Sequence, residues 1–450
     1  MKSLLFAAVA DDDTGATDLA GMLRDQGIRV AVVFNGATPE QLDRWTSGAD
    51  AVILGTASRS ISRQDAFDRT RDAINLLRPL NPRVLFVKYC STFDSTSTGN
   101  IGPSIEAALA ACGEQFTIAL PALPVLNRTT YQGHHFVGRQ LLSESSMRDH
   151  PLNPMRNSDL VSHLSTQTTL SVGLASYLDV REGAAALKEK FAGLAKEGVS
   201  IAIVDCITLG DVETIAEATC DMRLLTGSSA LGSVLPNVWI RKGWWTPPAA
   251  PLPAPQRHTG GRGFLVVAGS CSVATRAQNE NLKAHGGQAV PVDPISLVTN
   301  LAASDDIAHR ISEAIEKRMT CLLETTSASF DADAIHRWRI QTGLSVEEVG
   351  ARISHGLATL VQKVLDRVGP EGLIVAGGET SSTLCRALGF GALSVGPQIE
   401  PGVPVCVSLG ERRLPVVLKS GNFGSADFYS RAIHSIQQLP YFENRERSRE

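Results

Sequence analysis

The first apolar run of the chain stops at three consecutive carboxylates, in Ala10-Asp11-Asp12-Asp13-Thr14-Gly15, just before a helical pattern begins. Carboxylates this close repel one another and are costly unless a cation, hydroxyls or helix N–H groups face them. Capping a helix is the plainer use of such a cluster. The other use is ligand chemistry, because open α/β sheets bind their ligands outside the carboxyl ends of strands. A second polar segment, Lys88-Tyr89-Cys90-Ser91-Thr92-Phe93-Asp94-Ser95-Thr96, also follows an apolar run and leads through Gly99-Asn100-Ile101-Gly102-Pro103 into a helix. Hydroxyls, a lysine and a carboxylate on one loop suit a polyhydroxylated or anionic small molecule, the alternative being a solvated turn. Arg59, in Ala57-Ser58-Arg59-Ser60, adds a guanidinium for a carboxylate.

Three glycine-bearing turns stand out in the second half of the chain. They are Gly269-Ser270-Cys271-Ser272, Gly377-Gly378-Glu379-Thr380-Ser381-Ser382 and Lys419-Ser420-Gly421-Asn422-Phe423-Gly424, each following an apolar strand-like run. One such turn is ordinarily only a tight turn. Three after strands in one domain point to a nucleotide site, with the backbone N–H groups at the helix start after Gly377 as the natural seat for phosphate. The standard signatures are missing. Leu418 stands where a Walker-A glycine belongs before Lys419-Ser420, no G-x-G-x-x-G follows the first strand, and there is no G-x-S-x-G for a serine nucleophile.

The elements that must carry these residues are legible as short apolar runs between helical patterns. Leu4–Ala10, Arg29–Phe34, Ala51–Gly55, Arg83–Tyr89, Phe116–Leu120 and Ser200–Asp205 read as buried strands, with helices over Thr17–Gln26 and Ser104–Cys112 ending at Gly27 and Gly113. The rhythm restarts with Phe264–Ala268, Thr320–Glu324, Leu373–Ala376, Val403–Ser408 and Leu414–Lys419. Between the halves, five prolines fall within Pro247–Pro255, which reads as a linker. The expected architecture is α/β throughout: two α/β domains with mostly parallel sheets and an inter-domain cleft, residues 1–245 and 259–450 joined by a proline-rich linker at 246–258. The charged end NRERSRE reads as a solvated terminus.

Composition narrows the function classes. The chain has 450 residues, 43% hydrophobic and 20% charged, the profile of an ordinary globular protein of about two domains. Its 42 basic and 46 acidic side chains give a formal charge of −4, with no electrostatic reason to expect nucleic acid or an anionic membrane as partner. The cysteines at 90, 112, 206, 220, 271, 321, 385 and 406 have no metal-ligand spacing and read as reduced thiols, and the neighbouring His134-His135 diverge too far for a zinc site. The apolar start imitates a signal peptide, but aspartates occupy the place of a cleavage site, so a cytoplasmic protein is expected.

These motifs resemble those of the four-carbon acid sugar kinase family, and most fully its 3-oxo-tetronate kinases. The likeness runs through KYCSTFDSTSTGNIGP (88 to 103), RTTYQGHHFV (128 to 137), HPLNPMRNSDLV (150 to 161), GSCSVATRAQ (269 to 278) and VAGGETSS (375 to 382), and covers nearly the whole chain. The resemblance implies an N-terminal acid-sugar domain and a C-terminal ATP domain, with the γ-phosphoryl group passing to the C4 hydroxyl of a four-carbon sugar acid. Arg59, Lys88 and Asp94 would bind substrate, Asp12 would orient or deprotonate the hydroxyl with Asp11 as the alternative, and Ser270, Ser272, Gly377, Gly378, Glu379, Thr380, Ser381 and Gly421 would meet ATP. Mg²⁺ would bridge phosphate oxygens; which carboxylate touches it stays open. Asp13 stands where the family commonly has an aromatic or apolar residue, and Asn127 where a glycine usually precedes Arg128-Thr129; both bear on which acid is taken. The acid expected is a 3-oxo-tetronate, with D-threonate or D-erythronate as alternatives. An NAD(P)-dependent oxidoreductase and a non-catalytic sugar-acid sensor are the rival classes. Monomer and homodimer both remain open.

Overall fold

The computed structural model describes residues 4–150, 153–257, 261–299, 301–325, 332–409 and 412–441, so the charged end at 444–450 and His258 of the expected linker lie outside the described residues. The chain divides into two compact units, Met1–Leu252 and Pro253–Glu450.

In the first unit the strands are β1 (Phe6–Ala10), β2 (Val30–Phe34), β3 (Ala51–Gly55), β4 (Val84–Lys88), β5 (Thr117–Leu120), β6 (Arg128–Tyr131), β7 (His134–Val137), β8 (Gln140–Leu141), β9 (Val172–Ala175), β10 (Ile201–Val204) and β11 (Leu224–Gly227). Eight of them pair in parallel in the order β2-β3-β1-β4-β11-β5-β10-β9. The central ones are buried along their whole length, as expected of a sheet covered on both faces. β6, β7 and β8 form a separate antiparallel sheet that the α/β rhythm did not announce. Its first turn puts Gln132 and Gly133 both at positive φ, and Asp205 at the end of β10 accepts both of their N–H groups, at 2.6 and 2.9 Å.

The helix after β1 spans Asp13–Asp25, four residues earlier than expected, and the one after the hydroxyl-rich loop spans Ile101–Cys112, three earlier. Apolar periodicity starts only after a polar first turn, and Pro103 is tolerated in that turn because its missing N–H would be unpaired there anyway. Gly27 and Gly113 sit just past these helices in the left-handed conformation.

In the second unit β12 (Leu265–Ala268), β13 (Gln288–Pro291), β14 (Cys321–Glu324), β15 (Leu373–Ala376), β16 (Ala392–Glu400), β17 (Val403–Ser408) and β18 (Pro415–Lys419) make one sheet. The order β13-β14-β12-β15-β18 is parallel, and β17 and β16 add on antiparallel. Phe428, Tyr429 and Ile436 close one face over Val266, Ile374 and Val417.

The proline-rich stretch is irregular and mostly exposed, at 246–251 and Pro253, and is held by contacts at its two ends. Trp245 and Pro248 lie against Gly27, and Arg83 stacks on Trp244, 3.5 Å from the ring centroid. Beyond the boundary, Arg257 pairs with Glu371 and its backbone N–H donates to Pro440 O. No helix among the described residues is long and apolar enough to cross a membrane.

Trp239 anchors the first core, fully buried with its ring 6.1 Å from that of Phe6, and its indole N–H has no hydrogen-bond partner among the described residues. Trp239→Phe is therefore expected to cost under about 1.5 kcal/mol and Trp239→Ala about 3–5 kcal/mol, read from urea denaturation of both variants. Equal losses would mean that a phenyl ring recovers none of the packing, against ring volume as the source of the stabilisation.

Candidate active site

β3, β1 and β4 are neighbours in register, so the loops leaving their carboxyl ends must meet. They are stitched by backbone bonds, Asp11 N–H to Lys88 O at 3.0 Å and the N–H groups of Ser58 and Arg59 to Asp11 O at 2.8 and 3.2 Å. Arg59 grips both oxygens of Asp11, Nε to Oδ2 at 2.8 Å and Nη2 to Oδ1 at 2.9 Å, and reaches Asp12 Oδ1 at 3.0 Å; Asp94 stands 4.0 Å away on its other side. Asp12 is the N-cap of the Asp13–Asp25 helix, accepting from Gly15 N at 2.7 Å and from the Thr14 hydroxyl at 2.8 Å. Lys88, 2% exposed, lies 3.4 Å from Asp18. The capping use of the aspartate cluster is thus realised at Asp12, and the same carboxylate belongs to an ion-paired group containing Asp11, Arg59 and Asp94.

These charges titrate apart. Burial works against ionisation at both carboxylates. At Asp12 it is outweighed by Arg59, Lys88, the Thr14 hydroxyl and the Gly15 N–H, which hold it below its ordinary range; at Asp11 burial outweighs Arg59 and pushes it up. Burial alone would lower Arg59, yet Asp11 and Asp12 keep it well above its usual value, so it stays a cation. Asp11, Ser58, Arg59, Lys88, Asp94 and Asn100 line a recess with about 10 Å³ of free space, room for about one water. Asp12 is not in its wall.

The hydroxyl-rich loop is supported from below by residues to which motif reading gave no supporting role. Asn100 donates to the carbonyls of Ser58, Arg59 and Ile61, tying this loop to that of Arg59. Gln167 accepts from Ser95 Oγ and Gly102 N, and His163 Nε2 donates to Ser95 O at 2.6 Å. His135 Nε2 donates to Ser91 O at 2.8 Å, which leaves Nδ1 of a neutral ring to accept the Thr130 hydroxyl at 3.0 Å. Burial pushes His135 down to about 4 and the Cys90 thiol up to about 12, so the first is a neutral strut and the second no nucleophile. Nothing local marks Gln167 or His163; each acts across some seventy residues.

In the second unit β12, β15 and β18 are likewise adjacent, and their three glycine turns converge. Gly269 N and Ser270 N donate to Ala376 O, and Gly377 N to Lys419 O at 2.8 Å. Ser272 caps the Val273–Ala284 helix and donates to Gly421 O at 2.6 Å; Thr275 donates to the same carbonyl at 3.0 Å. Gly377, with φ +132°, precedes the Gly378–Ala387 helix, and a Cβ on Gly421 would sit 2.2 Å from Ser270 Oγ. Thr380 and Ser381 are buried in that helix's first turn, while Glu379 is exposed, its carboxylate beside Gly350. The Ser381 hydroxyl has no hydrogen-bond partner among the described residues. The N–H groups of Gly269, Ser270 and Gly377 and the hydroxyls of Ser272 and Thr275 are spent on carbonyls and hold the three turns together, which leaves the start of the Gly378–Ala387 helix and the Ser381 hydroxyl as the donors suited to phosphate. Among the described residues no group of three or more His, Cys, Asp or Glu gathers as a metal cage.

Residues 6–235 match the model of a sugar-binding N-terminal domain, and 265–429 that of a nucleotide-binding C-terminal domain. The chain is 40% identical over 433 residues to a 3-oxo-tetronate kinase of Pseudomonas fluorescens, covering 96% of this chain and 97% of that protein. It is 39% identical over 434 residues to one of Cupriavidus necator, with the same coverage. Among solved structures, a Salmonella typhimurium protein described as a putative tRNA synthase superposes with a TM-score of 0.77 at 30% identity, over 96% of this chain and 99% of that one. A Haemophilus influenzae protein does so with a TM-score of 0.69 at 33% identity, over 96% and 100%.

Two outcomes follow from the first-unit site. Asp12→Asn keeps a cap for Gly15 but removes the charge facing Arg59 and Lys88, so urea denaturation should show a loss of about 1–3 kcal/mol; a loss of only a few tenths would mean that capping is all it contributes. His135 has a depressed folded pKa, so between pH 6.5 and about 4 the unfolded chain binds a proton that the folded chain refuses, and stability falls as pH drops through that window. The loss is on the order of 3 kcal/mol. His135→Gln should flatten this part of the profile in urea denaturation at pH 7 and pH 4.5.

Proposed function

The chain belongs to the 3-oxo-tetronate kinase family of four-carbon acid sugar kinases, and we propose that it transfers the γ-phosphoryl group of ATP to the C4 hydroxyl of a 3-oxo-tetronate, giving the 4-phosphate. The observation that carries this reading is likeness to 3-oxo-tetronate kinases across both domains, 40% identity over 96% of the chain.

The transfer is direct and in line, so positioning and charge neutralisation supply nearly all of the catalysis. The recess as it stands holds about one water, so the acid enters only as the loops after β3, β1 and β4 part, its carboxylate then answered by Arg59 and Lys88 and its hydroxyls by Asp94 and the Ser/Thr loop. Of the two candidate bases we assign the C4 hydroxyl to Asp11, reversing the preference for Asp12: both carboxylates have partners, but Asp11 lines the recess and burial raises its proton affinity, whereas Asp12 is held below its ordinary range and is the weaker base. ATP phosphates rest on the turns at Ser270, Ser272, Gly377–Ser381 and Gly421. Mg²⁺ bound together with ATP would neutralise phosphate charge.

Purified protein with Mg-ATP should release ADP with a 3-oxo-tetronate faster than with threonate, erythronate or 2-oxo acids, and phosphorus NMR should show a phosphate monoester. No ADP from any four-carbon acid, with folded protein and saturating Mg-ATP, would overturn the reading. Asp11→Asn should lower kcat by about 10²–10⁴-fold, the range of a lost general base, with ATP affinity hardly changed; near-normal kcat would return the role to Asp12 or to no carboxylate at all.

A further inference from the structure

β18 ends in a lysine sealed from water. Lys419 is 0% exposed, and its ammonium sits inside the turn that follows it. Nζ donates to the carbonyls of Ser420 at 2.9 Å, Gly421 at 3.1 Å and Phe423 at 3.0 Å, and lies 3.4 Å from Thr275 Oγ1. All four acceptors are neutral oxygens, and among the described residues no carboxylate forms an ion pair with it. The nearest electrostatic influence is Glu400, whose own carboxylate is taken by Arg431 and Ser425. Burial pushes the ammonium down to about 7, so Lys419 carries its full charge only on the acid side of neutrality.

A cation is buried without a counter-ion only where dipoles replace its hydration shell. A ring of backbone carbonyls is the means by which proteins strip and hold an alkali cation. Conversely, carbonyls that converge on one point repel one another unless a positive charge lies there. The convergence is held from outside as well, since Gln278 Nε2 donates to the carbonyls of Phe423, Gly424 and Ser425. The Gly421 carbonyl that faces Lys419 also accepts from Ser272 and Thr275, so the position of the ammonium sets that of the turn against the Ser270–Ser272 loop.

We propose that the Lys419 ammonium is a built-in monovalent cation: it fills a cage of loop oxygens that would otherwise need K⁺ or NH₄⁺, and so positions the Gly421 turn for nucleotide. Its effect on ADP rests on the nucleotide reading of the second unit; the cage itself does not. Lys419→Ala empties the cage, and Lys419→Met fills it with an uncharged stem.

The experiment, run at about pH 6 where Lys419 is charged, compares melting temperature and ADP affinity in tetramethylammonium buffer with and without K⁺, NH₄⁺ or methylammonium at about 0.1 M, a concentration at which general charge screening is similar for all of them. The wild type should be indifferent to the cation. Lys419→Ala should bind ADP at least about tenfold more weakly in tetramethylammonium, the worth of one hydrogen-bonded contact, and recover most of it with a small cation, its unliganded melting temperature rising in parallel. Lys419→Met should be weak and stay so. The proposal is overturned if no small cation moves Lys419→Ala, if K⁺ rescues Lys419→Met equally, or if the wild type itself depends on K⁺, a measurement that stands even where the variants fail to fold. Cation-dependent melting of Lys419→Ala with no ADP binding by any form, wild type included, would defeat the nucleotide reading and uphold the cage.

Discussion

A carboxylate can be buried at the end of a strand only if cations or N–H dipoles stand beside it, and the first domain is arranged round that requirement. Asp11, Asp12 and Asp13 follow a wholly buried strand, and Asp18 is buried one turn further on. Arg59 comes from the end of β3 and Lys88 from the end of β4, the two strands that flank β1. The helix start supplies the remaining donors through Gly15 and Thr14. A site of this kind is polar, nearly dry and rich in fixed charge, where electrostatic interactions act at close to full strength and the pKa values of neighbouring carboxylates separate.

The second domain solves the converse problem. There the groups brought together are carbonyl oxygens of a turn, whose dipoles converge on one point, and the charge set among them is the ammonium of Lys419. In both domains, parallel pairing makes the chemistry local. Three strands that run side by side end at the same level, so residues from distant parts of the sequence, such as Asp11 with Arg59 or Ser270 with Gly421, are delivered to one place by register alone. Small shifts there are expensive, because a side chain on Gly421 would have to displace Ser270.

Sequence by itself determined the alternation of buried strands and helices, because unbroken apolar runs can be satisfied only inside a covered sheet. It also determined which loops carry polar chemistry, since residue type is local: the aspartate triplet, the Lys88–Thr96 loop and the three glycine turns are where the structure gathers its polar groups. Helix starts were legible only to within a turn, as capping residues carry no apolar periodicity. The β6–β8 sheet escaped because its turn depends on Asp205, far along the chain.

Only the tertiary structure decided pairing and direction. Arg59 looked like a free guanidinium and is held by two aspartates; Asp11 and Asp12, adjacent in the chain, face different surroundings and titrate in opposite senses. Lys419 read as one half of a failed Walker motif and is a sealed ammonium; Gln167 and His163 read as nothing, His135 only as half of a rejected zinc pair, and all three brace the hydroxyl-rich loop. The physical reason is the same in each case. Residue type sets what a group can donate, accept or titrate, whereas burial and partners, which decide whether it does, depend on contacts that cross the fold at separations no local pattern encodes.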